Sequence, residues 1–309
     1  MILCVNPNAA IDKTVVVHSF RLNEIHRPQQ VLAIPGGKGC NVARALKRLG
    51  ETPVVSGWVG GFAGQFIEAG LHGEDIQTAF VYTDFESRTC LSILDPENNT
   101  LTELYEKGDP LPAEKVEEFK DFFQAVVGQY AAVTLSGSLP PGVPLDFYRQ
   151  MLEIAQAAGV PAILDSNGEA LRQGAAAKPL LVKPNEKEFA NLAGKALEKP
   201  ADFANAAAEM SACYQTMIVV SLGAEGAIAA NRQEVWHVRP PQVTIQSAVG
   251  SGDCMLAGIT YGLTHSFSFA DAIQYGVAAG TANALTVGAG IFTQDDFERV
   301  LAGVSIARF

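Results

Sequence analysis

The chain has 309 residues, 48% of them hydrophobic and 18% charged, and carries a formal net charge of −11. That length suits one large α/β unit with an appendage, and the apolar share can fill a sizeable core. The acidic balance argues against a protein that tracks nucleic-acid phosphates or lies on an anionic membrane, though it leaves room for a local basic pocket.

The opening MILCVNPNAA holds a short strand at 2–6 and lacks the basic start and long apolar core of a signal peptide. A β-branched run, TVVV, and a second run around Val31–Ile34 occupy 13–34 with no helix between them. Val42, Ala45, Leu46 and Leu49 then recur at helical spacing over 40–49, and Gly50 is the stop. A strand at 54–57 and a helix at 62–72 follow. Residues 88–105 read strand, turn, strand, with Asp95 to Asn99 as the turn. A helix at 113–127 places Val116, Phe119, Phe122, Phe123 and Val126 on one face. Next come strand 131–136, helix 144–158, strands 161–165 and 179–183, helices 185–193 and 200–213, and strand 216–221. This alternation predicts an α/β fold, a mostly parallel central sheet with helices on both faces. Segments 226–230 and 234–238 flank Asn231-Arg232-Gln233 as an antiparallel hairpin at an edge. Helices at about 252–265, 269–287 and 293–305 close the chain. The polar-interrupted β pieces at 13–34 and 88–105 break the rhythm and fit a small β-sheet lid. The cysteines, Cys4, Cys40, Cys90, Cys213 and Cys254, are odd in number and form no CxxC, so a reducing compartment fits better than a disulfide scaffold or a zinc site. No apolar run is long enough for a bilayer, so a soluble cytoplasmic protein is expected.

Five stretches carry chemistry. In PGGKGCNVARALKRLG, at 35–50, glycines crowd Lys38 ahead of a helix, as in a phosphate loop. The spacing matches neither G-x-x-x-x-G-K-[ST] nor G-x-G-x-x-G. Glycine lets a ligand approach backbone closely, Lys38 adds a point charge, and Asn41 both donates and accepts. That set suits a polyhydroxylated, anionic ligand, or else a plain turn before a helix. In SAVGSGDC, at 247–254, two glycines precede an apolar helix and leave N–H groups free for an anion. Asp253 sits there as a dipole partner, or as the group that takes a proton from a hydroxyl while the N–H groups hold a phosphoryl group. In VKPNEKE, at 182–188, Asn185 and Glu188 form a capping pair, or reach Mg²⁺ through water while Lys183 reaches a nucleotide phosphate. SGSLPPGVP, at 136–144, follows a buried strand where α/β sheets place ligands. SLGAEG, at 221–226, is a Gly-rich turn suited to an adenosine.

Together GGKGCNVARA, VKPNEKE and AVGSGD resemble the two signature regions and the N-x-x-E motif of the ribokinase-like (phosphofructokinase-B) carbohydrate kinases. SGSLPPGVP and NPNAAIDKT are similar to the phosphosugar branch, which includes 1-phosphofructokinase and tagatose-6-phosphate kinase. The match runs in order over the whole chain, 1–309, as a single ribokinase-like unit with the lid inserted from about 13–34 and 88–105. The resemblance implies an ATP- and Mg²⁺-dependent kinase, with fructose 1-phosphate as the leading acceptor and tagatose 6-phosphate as the alternative. It implies Asp253 as catalytic base, with Gly250, Ser251 and Gly252 as the anion hole. Lys183 and Asn185 would serve ATP phosphates, Glu188 with Asn185 the metal, and Ser221, Gly223 and Gly226 the nucleotide. Asp12, Gly37, Lys38 and Asn41 would hold the sugar. Arg88 and Ser138 would contact its phosphate, joined by Arg27 from the lid. The lid of this family often makes a homodimer. Some members need K⁺ beside the anion hole, where Ser247 and Val249 lie. Two departures stand out: Ala9 follows Asn8 where relatives have Pro, and Ser251 replaces the Ala of GAGD.

Other readings leave residues unexplained. A ribokinase-type enzyme on an unphosphorylated sugar or nucleoside would leave Arg27, Lys38 and Arg88 without an anion. A non-catalytic sugar-phosphate sensor should lack the base or the glycines of the anion hole. An NAD-linked oxidoreductase lacks its fingerprint.

Overall fold

The computed structural model describes residues 1–309. The first half runs β1 (Ile2–Val5), β2 (Ala10–Val16), β3 (Gln30–Gly36), α1 (Lys38–Arg48), β4 (Pro53–Gly60), α2 (Gly61–Gly73), β5 (Gln77–Thr83), β6 (Arg88–Asp95), β7 (Thr100–Tyr105) and α3 (Ala113–Val126). Then come β8 (Ala132–Ser136), α4 (Phe147–Ala157), β9 (Ala162–Asp165), α5 (Gly168–Ala176), β10 (Leu181–Val182), α6 (Glu186–Ala193), α7 (Pro200–Tyr214) and β11 (Met217–Ser221). The chain ends with β12 (Ala227–Ala230), β13 (Val235–Arg239), α8 (Ser251–Thr264), α9 (Phe269–Ala284), α10 (Gln294–Gly303) and β14 (Ser305–Arg308).

Ten strands form one sheet in the order β14-β13-β12-β11-β10-β9-β8-β1-β4-β5. It is parallel from β5 to β11, and β12 to β14 add on antiparallel. The central strands β1, β4, β8, β9 and β10 are buried throughout because both faces are covered. In β1, Leu3 and Val5 join the core under α3 to α7, while Ile2 and Cys4 join the core under α1, α2 and α8 to α10. The sheet grows one way from β1 through β4 and β5, and the other way from β8. The large cleft lies beyond the C-terminal ends of β9, β10 and β11, where Asp165, Lys183 and Ser221 line it, the end of the strands at which ligands of such sheets bind.

A separate four-stranded sheet, β3-β2-β6-β7, comes from the two segments that break the sequence rhythm. It extends three residues before and two beyond the expected 13–34, because β2 starts at Ala10 and β3 ends at Gly36.

The sequence pattern misses three elements. β5 lies at one sheet edge, and its half-covered residues give no clean alternation. Helix α5, GEALRQGAA, is short and rich in glycine and alanine, so its apolar stripe is faint. β14 occupies residues adjoining the helix expected over 293–305, which ends at Gly303. The hairpin β12–β13 is therefore not the edge, because β14 pairs outside it.

Helices α8 and α9 pack through small residues. A Cβ on Gly258 would stand 2.5 Å from the Tyr275 carbonyl oxygen, and one on Gly276 would stand 2.5 Å from Ile259 Cγ1. Because α8 carries Asp253 in its first turn, this packing sets the depth of that carboxylate. Gly258→Ala should force the helices apart and destabilise the protein by about 1–3 kcal/mol, read as a lowered midpoint in denaturant unfolding.

Candidate active site

The site begins where β1 ends. Asn6 is buried, and its Nδ2 donates to the Gly36 carbonyl at 3.1 Å while its Oδ1 accepts from the Gly39 N–H at 3.3 Å. A Cβ on Gly39 would stand 2.5 Å from Asn6 Cβ, and one on Gly36 would stand 2.1 Å from Asp12 Cγ. Gly37, at φ +96°, is the N-cap of α1. These glycines bring Asn6 and Asp12 close against the loop backbone. Asp12 accepts a 3.4 Å bond from the Gly37 N–H. Burial pushes its carboxyl above the usual range, against the pull of that bond and of Arg88.

Lys38, at the start of α1, reaches across to Asp165 at the end of β9, 2.7 Å from Nζ to Oδ1. Lys183, just after β10, places its Nζ 2.8 Å from the other oxygen of Asp165 as an ion pair. Burial alone would raise the Asp165 carboxyl, but Lys183 and Lys38 hold it below its ordinary value. Lys38 is raised in turn: burial lowers it, and Asp165, Asp253 and Glu188 more than offset that. Asp253 is also buried and accepts a 2.8 Å bond at Oδ2 from Asn41 Nδ2. Burial and the neighbouring Asp165 push its carboxyl up to about 6, against Lys38, Asn41 and Lys183.

Gly250, at φ +79°, caps α8, and a side chain there would collide with Ala289. The Ser251 N–H donates to Ala248 O, while the Gly252 and Asp253 N–H groups have no backbone acceptor. They form the anion-attracting end of α8. Buried Asn283 binds this turn, donating from Nδ2 to Val249 O at 2.8 Å and accepting at Oδ1 from the Gly290 N–H at 2.9 Å.

Asn185 and Glu188 form the capping box of α6: the Asn185 N–H donates to Glu188 Oε2 at 2.8 Å, and the Glu188 N–H donates to Asn185 Oδ1 at 2.9 Å. Ser221 bridges to Asn185, and Gly223 to Gly226 form the turn that follows. All of these line one cleft of about 780 Å³ with Lys38, Asp165, Lys183 and Gly250 to Asp253, a volume normal for a small-molecule site. Apolar residues of the 240–245 segment, Val243 and Ile245, close its far wall, a feature absent from the sequence reading. No group of three or more acidic, histidine or cysteine side chains could cage a metal directly. The cleft-lining Glu188 fits a Mg²⁺ ion held mainly by water and phosphates, as that ion prefers.

Arg88 and Asn8 line a second, smaller recess, and Ser138 joins it only through Asn8. Arg88 donates to the carbonyls of Asn8 and Glu106 at 3.1–3.3 Å, and Asn8 Nδ2 donates to Ser138 Oγ at 3.3 Å. Arg27 is not brought to either cavity. It is exposed in the β2–β3 connection and bonds to nothing in its own chain. Sequence reasoning passed over Asp165, Asn6 and Asn283. Only Asp165 left a signal, as a carboxylate at the C-terminal end of a buried strand.

A doubly covered parallel sheet with a buried carboxylate and a helix N-terminus in one cleft suits a group-transfer enzyme, and comparison with known proteins gives the family. Residues 5–296 match the pfkB family carbohydrate kinase model, and the chain belongs to that family. It is 32% identical to the tagatose-6-phosphate kinase of Staphylococcus epidermidis, over 99% of each chain. It resembles the structure of phosphofructokinase-2 from Escherichia coli in complex with substrates and products, with TM-score 0.90, 30% identity and 98% of each chain covered. It also resembles a Thermotoga maritima chain named as a possible 1-phosphofructokinase, with TM-score 0.89, 26% identity, and 100% and 99% covered. No helix is long and apolar enough to cross a membrane.

An acid raised by folding opposes folding once it ionises. The Asp253 penalty enters between its unfolded value near pH 4 and its folded value of about 6, and persists above. Asp253→Asn should therefore raise unfolding free energy at pH 8 by about 1–3 kcal/mol, a gain that fades below about pH 4, measured by denaturant unfolding across pH.

Proposed function

We propose that the protein transfers the γ-phosphoryl group of ATP to a hydroxyl of a ketohexose phosphate. The observation that carries this is Asp253: a buried carboxylate, raised yet ionised at neutral pH, beside two unpaired helix N–H groups and two lysines. In this reading the substrate hydroxyl attacks the γ-phosphorus as its proton passes to Asp253. The bond from the γ-phosphorus to the bridging oxygen breaks, and ADP leaves with that oxygen. The Gly252 and Asp253 N–H groups, in the turn set by Gly250 and Ser251, hold the transferring group in place. Lys183 faces the phosphates, while Ser221, Gly223 and Gly226 flank the adenosine. Mg²⁺, held through water by Glu188 and Asn185, would neutralise phosphate charge. A K⁺ ion beside the anion hole would use carbonyl oxygens of the 247–249 turn, of which Val249 O is shared with Asn283; phosphofructokinase-2 from E. coli has been solved with potassium.

The acceptor would lie between Asp253 at one end and Arg88 and Ser138 at the other, with Asp12, Gly37, Lys38 and Asn41 along the sugar. This arrangement suits a ketohexose carrying phosphate at one end and accepting it at the other. Fructose 1-phosphate, giving fructose 1,6-bisphosphate, is the leading acceptor. The 32% identity to a tagatose-6-phosphate kinase favours tagatose 6-phosphate as the second reading. ADP release should be fastest with one of these two among fructose 1-phosphate, tagatose 6-phosphate, fructose 6-phosphate, ribose and adenosine. Preference for ribose or adenosine would sink the reading, and binding without ADP release would revive a sensor. For the preferred sugar, kcat/KM should rise through about pH 6, and Asp253→Asn should lower kcat by roughly 10²–10⁴-fold.

The small sheet would act as the lid over the sugar and as the seat of a homodimer, which would let Arg27 act in the partner's site. Val31, Leu101, Leu104 and Tyr105 leave apolar surface exposed on it, the kind of surface that interfaces use. Val31→Asp with Leu104→Asp should convert a dimer to a monomer in light scattering; an unchanged mass would move the interface elsewhere.

A further inference from the structure

We infer that Arg44 is a positioning residue that aims Asn41 at Asp253 and ties the acceptor loop to the anion hole. Arg44 lies on α1 with its side chain 5% exposed, and every one of its N–H donors is used. Nε and Nη2 grip the two oxygens of Glu74 at 2.5 and 3.0 Å. Nη2 also donates to Pro35 O at 3.0 Å, at the end of β3 where the glycine loop begins. Nη1 donates to Ala289 O at 3.0 Å, in the segment against which Gly250 packs. The remaining Nη1 proton goes to Asn41 Oδ1 at 3.2 Å.

That last bond fixes which way the Asn41 amide faces. With Oδ1 held by Arg44, Nδ2 points to Asp253 Oδ2, 2.8 Å away. Turned round, the amide would set N–H groups against the guanidinium and oxygen against the carboxylate. Glu74, Arg44, Asn41 and Asp253 thus form a directed chain in which each donor orders the next acceptor. A guanidinium suits the task because its flat fork serves several acceptors at fixed angles, which a lysine ammonium cannot do. The surroundings allow little slack: a Cβ on Gly290 would stand 3.0 Å from Arg44 Cβ.

The effect on Asp253 is to hold one oxygen still and to favour its ionised form. Lys38, Asp165 and Lys183 also face this carboxylate. None of them touches Arg44, so their influence stays in place when Arg44 is changed.

The inference rests on Asp253 being the base, and its test separates the two. Arg44→Lys keeps the charge and loses the fork, while Glu74→Gln weakens the grip with little change of shape. Both are compared with Asn41→Ala and with the Arg44→Lys/Asn41→Ala double variant, using the preferred sugar and ATP. Arg44→Lys should lower kcat by roughly ten- to a hundredfold, shift the acid limb of kcat upward in pH and leave KM for ATP near wild type. Glu74→Gln should move both in the same direction by less. In the Asn41→Ala background, Arg44→Lys should move the acid limb no further. Multiplicative losses with an unmoved acid limb would overturn the inference and leave Arg44 as packing. Should Arg44→Lys fail to fold, Glu74→Gln with and without Asn41→Ala decides by the same criterion. If Asp253→Asn turns over normally, the base assignment fails first and this inference falls with it.

Discussion

One buried carboxylate holds the two halves of the cleft together. Asp165 is nearly inaccessible and spans the gap between Lys38 at the start of α1 and Lys183 just after β10. Two cations this close to the protein interior would repel each other without it, and neither would tolerate burial unpaired. Their shared anion lets both stand at the cleft wall before any phosphate arrives. A polyphosphate entering the cleft then meets positive charge already in place, with little side-chain ordering left to accomplish.

The same neighbourhood explains the state of Asp253. Burial and Asp165 raise it, while Lys38, Asn41 and Lys183 pull it down, and the balance lies at about 6. A carboxylate at that value is ionised at neutral pH yet more basic than an exposed aspartate, which suits proton removal. The arrangement costs stability, because an ionised acid in a buried position resists folding. Such conflict between local comfort and global fold is expected where chemistry is done.

Much of this could be read in the sequence. The βα alternation, the capping pair Asn185–Glu188 and the glycine turn before Asp253 each rest on neighbours within a few residues. What escaped detection depends on distant partners. Lys38 and Asp165 are 127 residues apart, and Arg44 and Ala289 are 245 apart. Arg44 follows KGCNVA in a helix where a charge normally faces water, so nothing local marks it as buried. Asn283 similarly looks like any polar residue near a helix end. The contacts of the first-loop glycines with Asn6 and Asp12 leave no local signal, because these residues come close only once β1 and β2 are in place. β14 was lost because a four-residue strand carries no period.

The reversal of strand order at β1 has a consequence for how the chain becomes active. β1 must be flanked by β4 and by β8, and the Asn41–Asp253 bond then spans 212 residues. Long-range closures of this kind are slow and come late. A chain still emerging from the ribosome can complete β1, α1 and the glycine loop while α8 is unmade. At that stage Asn41 is in place and its partner Asp253 is not. The assembled cleft is thus a property of the finished fold, completed when α8 docks onto α1.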